Sequence, residues 1–155
     1  MAVYSFKSVG KTQQSIEDES LDESPIPFGI KTPLKIGAKD GILEMNYSLE
    51  EQFADNLRNL LLTNWGERLG LHNFGANLRP LTTEFVSQDN FDNEAIVRIK
   101  NAVDTWMPFI DLEDFSSEVD RMDNKNTGVI KVNITYNIPN LEVYKKGLQI
   151  VLYVI

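Results

Sequence analysis

Two hydrophobic periods divide this chain. From Leu49 onward, Leu49, Phe53, Leu57, Leu60 and Leu61 recur at helical spacing, with Glu50, Asp55, Asn56 and Arg58 largely on the opposite face. The preceding "SLEE" has the form of a capping box, in which Ser48 accepts a backbone N–H and Glu51 reaches back. This helix should stop near Thr63 and Asn64, before Gly66. A second stripe, Ile96, Ile99, Val103 and Trp106, predicts a helix from about Asn93 to Trp106 that Pro108 ends. Beyond it the period drops from 3.6 to 2. "VIKVNITYNI" sets Ile130, Val132, Ile134, Tyr136 and Ile138 on one face and Lys131, Asn133, Thr135 and Asn137 on the other. It should pair with "FIDLEDFSSEVDRM" across the turn "DNKNTG". A slip in alternation between Leu112 and Phe115 suggests a bulge.

The last segment, "GLQIVLYVI", is apolar on both faces. Such a strand is either central and covered on both sides, or an edge strand that pairs with another protein. Ahead of the first helix the pattern breaks down. Lys11 to Ser24 is polar and acidic and reads as mobile, whereas "PIPFGIKTPLKIG" spaces prolines among Ile26, Phe28, Ile30 and Leu34. That second stretch predicts an arm lying along a surface. The expected fold is α+β: two main helices on a small C-terminal antiparallel sheet, with an extended N-terminal arm over residues 1–47 and a folded domain over 48–155.

Composition narrows the function. A net charge of −8 argues against nucleic acid as a partner, because phosphate contacts need clustered Lys and Arg. Having no cysteine, the chain excludes disulfides, thiolate nucleophiles and Cys-ligated zinc. No apolar run has the roughly 18 residues a membrane helix needs, and the N-terminus lacks the apolar core of a signal peptide. The expectation is a protein that folds where it is made, with no membrane partner.

Candidate chemistry concentrates in "NWGERLGLHNFGANLRPL", from Asn64 to Leu81, which holds three of the nine glycines and the single histidine, His72. One histidine supports neither a typical zinc site nor a serine triad, and no metal or cofactor is expected. The segment "DRMDNKNTG" has spaced oxygen ligands, but Ile134 stands where a calcium loop needs a bidentate Glu. A pair of carboxylates could hydrolyse a glycosidic bond, with Glu67 as acid and Glu84 nearby. Arg68 beside Glu67 would depress its pKa, opposite to what a general acid needs. Without catalysis, the stretch reads as a rigid loop. Gly66 ends the helix in the left-handed conformation, Arg68 meets carbonyls or a carboxylate, and Gly75 permits close approach while Phe74 pins the backbone. "ANLRPL" then starts a helical turn limited by Pro80.

An amphipathic helix ending in "NLLLTNWGER", followed by "NFGANLRPL", a second helix and a C-terminal hairpin, resembles the small baseplate wedge, or sheath-initiator, family of contractile phage tails and type VI secretion baseplates. Some members carry a lysozyme-like label. The resemblance runs from about Pro25 to the C-terminus and includes the "PFGIKTPL" arm. It implies a non-enzymatic, structural protein of the virion tail baseplate, assembled in the host cytoplasm in several copies around the tail axis. It implies baseplate wedge proteins and the tail sheath protein as partners, with tail-tube and hub proteins nearby. Gly66, Glu67, Arg68, Phe74, Gly75 and Leu78 match the family's loop motif. Many members carry Glu-Pro-Arg after the second helix for docking on the wedge; here Met107-Pro108-Phe109 stands there, next to Trp106. Leu148, Ile150, Leu152 and Val154 would mark the strand that pairs with the sheath. The alternative is a peptidoglycan-cleaving, lysozyme-like hydrolase with Glu67 as acid.

Overall fold

In the computed structural model, which describes residues 26–37, 42–83, 88–121 and 128–154, the alternating stretch becomes the middle of a three-stranded antiparallel sheet. Strand β4 (Gly128–Ile138) lies between β3 (Asp111–Arg121) and β5 (Val143–Val154). Its inward residues Ile130, Val132, Ile134, Tyr136 and Ile138 are each at most 2% exposed, as the period of 2 requires. The bulge falls between Leu112 and Asp114, inside the interval where alternation slipped. A 3₁₀ turn, Pro139–Leu141, leads into β5. Among the described residues the final strand is therefore an edge and not the covered central strand, with one face towards the core and the other towards solvent. The expected mobile segment, most of the "DNKNTG" turn, Glu84 and Ile155 lie outside the described residues.

Helices α1 (Leu49–Leu62), α2 (Arg79–Thr83) and α3 (Gln88–Trp106) pack with the sheet around a single core. Leu57, Leu60 and Leu61 face inward from α1 as predicted. On α3 the buried stripe is Phe91, Ala95, Ile99, Ala102 and Val103, whereas Ile96 is 42% exposed. The helix begins five residues before the predicted Asn93 because Phe91 and Ala95 extend this stripe N-terminally, with Ala95 buried in place of Ile96 and Ile99 buried as expected. Pro80 opens α2 at its second residue instead of limiting it, since a missing N–H costs nothing in a first turn.

Two other expectations change. Ser48 occupies the N-cap of α1 in extended conformation, yet its side chain makes no capping hydrogen bond, so the box does not form. Glu50 and Glu51 still place negative charge in the first turn, which complements the helix dipole. Asp55, expected on the solvent face, is 7% exposed. What covers it is the arm, which folds back on itself: β1 (Gly29–Ile30) pairs with β2 (Met45–Asn46), and Ile36 bridges Leu43. The Asp55 carboxylate accepts hydrogen bonds from the Thr32 N–H and the Asn46 side-chain amide, each at 2.9 Å. Helix α1 is thus sandwiched, apolar towards the sheet and polar towards the hairpin.

Candidate interface loop, aromatic groove and sheet edge

The loop after α1 is built by reciprocal backbone bonds. The helix ends at Thr63 in extended conformation, so Gly66, although left-handed at φ +85°, shapes the loop and does not cap the helix. Its N–H donates to the His72 carbonyl at 2.8 Å, while the exposed His72 ring lies outside this framework. Returning towards α1, Ala76 N–H donates to Leu60 and Asn77 N–H to Thr63, at 3.2 and 3.3 Å. That return requires glycine at 75: φ is +110°, and a Cβ there would stand 2.1 Å from the Thr63 carbonyl oxygen. Trp65 closes the crossing, its indole N–H donating to the Gly75 carbonyl at 3.0 Å.

Asn64 is the hub that sequence reasoning passed over. Its backbone N–H and side-chain amide both donate to Glu67, at 2.8 and 2.9 Å, and its side-chain oxygen accepts from the Arg79 N–H at 3.1 Å. These bonds from Asn64, with a smaller contribution from the Arg79 charge, hold the Glu67 carboxyl below its ordinary pKa. A depressed, exposed carboxylate is the reverse of a general acid. The cation responsible is not Arg68, whose guanidinium carbon lies 3.9 Å from the Phe74 ring centre. Leu78, 1% exposed, belongs to the core and anchors the loop's exit. Arg98, which carried no sequence signal, reaches from α3 to the Asn77 carbonyl at 2.8 Å.

Two groups that the sequence keeps apart meet in space. Arg68 and Phe74 from the loop, with Trp106, Met107 and Phe109 from the end of α3, wall an open groove of about 400 Å³, floored by Phe53 and Leu60. Phe74 meets Trp106 edge-on at 5.1 Å, and Phe53 stacks at a tilt on Phe109 at 4.8 Å. Met107 is 6% exposed and belongs to the core, and the exposed Pro108 completes the turn between Met107 and Ile110. The surface a partner can reach therefore consists of Trp106, Phe109, Phe74 and Arg68. Its polar rim is Asn56 and Asn59.

At the sheet, Leu148 and Ile150 are 4% and 2% exposed and point into the core, and Leu152 is partly buried beside them. Val154 ends the ladder opposite Gly128. Outward from the same strand stand Val151 and Tyr153, 38% and 62% exposed. Among the described residues β5 pairs only with β4, leaving one backbone edge unpaired. Also among the described residues, no cluster of His, Asp and Glu is placed to hold a metal ion, and no helix is long and apolar enough to cross a membrane.

This architecture has solved counterparts. A protein in the anti-feeding prophage (AFP) baseplate aligns with a TM-score of 0.56 and 19% identity, over 70% of this chain and 82% of its own. A Geobacter sulfurreducens protein described as a "putative tail lysozyme" aligns with a TM-score of 0.52 and 21% identity, over 68% of this chain and 89% of its own. The fold is one that a baseplate protein uses. No protein-family model and no curated protein matches the sequence.

Proposed function

We propose that the protein is a structural component of a contractile-tail baseplate that joins wedge proteins to the first sheath ring and starts sheath assembly by accepting a sheath strand along β5. The observation that carries this reading is a fold shared with an AFP baseplate protein, with a 12-residue final strand whose outer side is unpaired among the described residues. Strand addition uses backbone hydrogen bonds for register and side chains for specificity. Each such bond contributes roughly 0.5–1.5 kcal/mol net, and several copies around the tail axis would multiply a modest contact by avidity. The groove of Phe74, Trp106 and Phe109 is the docking face for the wedge, apolar where the resembled family's pattern would place a charged triplet. Tail-tube and hub proteins would lie nearby, in a virion baseplate assembled in the host cytoplasm.

Electron microscopy of particles tests the reading. Truncating residues 147–155 would also strip Leu148 and Ile150 from the core, so the informative variant is Val151→Glu with Tyr153→Glu, both outside it. Baseplates should still assemble and carry no sheath. Normal sheaths on such particles, or on particles without this chain, would remove the initiator role.

A peptidoglycan-hydrolase reading is favoured by one observation, the description of the second structural counterpart. Hydrolysis of cell walls by the purified protein, abolished in Glu67→Gln, would establish it. The tethering of Glu67 by Asn64 speaks for a shaping role instead.

A further inference from the structure

The two edges of the sheet that are unpaired among the described residues differ in chemistry. Along β3, Asp111, Glu113, Asp114, Glu118 and Asp120 are all exposed, whereas β5 carries Lys145 and Lys146. Between β3 and α3 lies an open groove of about 490 Å³, walled by Ile96, Leu112 and Phe115. The groove rim carries one cation, Lys100, against Asp104, Asp111, Glu113 and Asp114. It also accounts for Ile96, which left the buried stripe of α3 only to face this hollow.

We propose that the outer edge of β3 accepts an extended cationic segment of a partner protein, with Lys or Arg at alternate positions and apolar side chains between them. Asp114, Ser116, Glu118 and Asp120 lie on the solvent face, in register with Thr135, Asn133, Lys131 and Val129 of β4. A strand added outside β3 sets every second side chain directly across from this column, about 4.5–5.5 Å between Cβ atoms. The intervening side chains lie beside Leu112, Phe115 and Val119, the first two at the groove. The sheet already uses the same pairing internally: Lys131 of β4 forms an ion pair with Asp120 and sits opposite Glu118. One lysine facing two carboxylates leaves the column in excess of negative charge. That excess also disfavours edge-to-edge pairing of two β3 strands, so it selects for a partner of opposite sign. The site lies on the opposite edge from the one invoked for the sheath, and it stands or falls separately from that role.

The test titrates the full chain with three synthetic peptides: alternating Lys and Val, alternating Glu and Val, and the Lys-Val peptide N-methylated at alternate backbone nitrogens. The Lys-Val peptide should bind with new amide-exchange protection along β3. The other two should bind at least about tenfold weaker, from lost cross-strand charge pairs or lost backbone bonds. Glu113→Lys with Glu118→Lys, both exposed, should erase the preference between the charged peptides, with a slightly lower thermal midpoint because Glu118 faces Lys131. Val151→Glu on β5 should leave it unaltered. Equal binding of the N-methylated peptide would mean simple attraction to an acidic surface, and protection at β5 would move the site; either overturns the proposal. So does absence of binding, or self-association of the chain that protects β3 without peptide.

Discussion

The Asn46 amide donates to the Asp55 carboxylate across 2.9 Å, joining residues that are 0% and 7% exposed. Around this bond the hairpin has its polar side inward and its apolar side outward, with Phe28 and Ile30 55% and 45% exposed. Asp55→Ala leaves the Asn46 amide and the Thr32 N–H without their acceptor. The expected loss is about 1–3 kcal/mol of unfolding free energy, read as a lower denaturation midpoint with earlier proteolysis within residues 28–37 and 42–46. Burial pushes the Asp55 pKa up, but hydrogen bonds from Asn46 and Thr32, with the Arg58 charge, outweigh it and hold the carboxyl below its ordinary value. The contribution is therefore complete above the unfolded-state pKa of about 3.9 and is lost as pH falls through the lower folded value. Thermal unfolding of wild type and Asp55→Asn across the acid range should show a shallower acid limb in the variant.

Gly75 and Thr63 fix the loop's crossing point. Because a Cβ at 75 would stand 2.1 Å from a backbone oxygen, Gly75→Ala must move the chain or break the return to α1. The substitution should cost about 2–3 kcal/mol, combining positive-φ strain with the clash. At Gly70, also left-handed at φ +80°, a Cβ meets nothing within 4 Å. Gly70→Ala should therefore cost only about 1 kcal/mol from the backbone. Chemical denaturation of the two variants separates the terms, and equal losses would refute the close-approach argument.

Periodicity made the helices and the sheet legible, because burial of one face is a local property of spacing. Ile130 to Ile138 illustrates the strength of that signal. It failed where a face has two different neighbours: Asp55 looked solvent-facing because nothing local reveals that residues 28–37 and 42–46 fold over it. The capping box failed for a related reason, since a motif fixes which bond can form and not whether it does. In the loop, Gly75 and Phe74 were readable as shape-setting residues. The Asn64–Glu67 clasp was not, because adjacent Arg68 offered a simpler partner on paper. Convergence of Arg68 and Phe74 with Trp106 and Phe109 depends on how α1 and α3 lie together, which residue spacing within either helix does not encode.

The Asn64 clasp predicts how Glu67 titrates. Its carboxyl should ionise at lower pH than exposed glutamates without such donors, and Asn64→Ala should return it towards the ordinary value. Side-chain carboxyl NMR across the acid range measures both. A Glu67 pKa above that of a free glutamate would revive its candidacy as a general acid.

The groove yields the last prediction. Arg68 over Phe74 and Phe74 against Trp106 form a chain of contacts from the loop to the end of α3. A double-mutant cycle of Arg68→Ala and Phe74→Leu should give a coupling of about 0.5–1 kcal/mol, the range for a partly exposed cation–π pair. Stability should change little with Arg68→Ala alone, because the guanidinium is exposed and offers a partner more than it supports the core. Phe109→Ala should cost more, since its ring stacks on Phe53 beside Leu60, which is 1% exposed. If the groove docks a wedge protein, Arg68→Ala should weaken capture of that protein far more than it lowers the unfolding midpoint. Parallel losses in both would reduce the groove to a fold-stabilising contact.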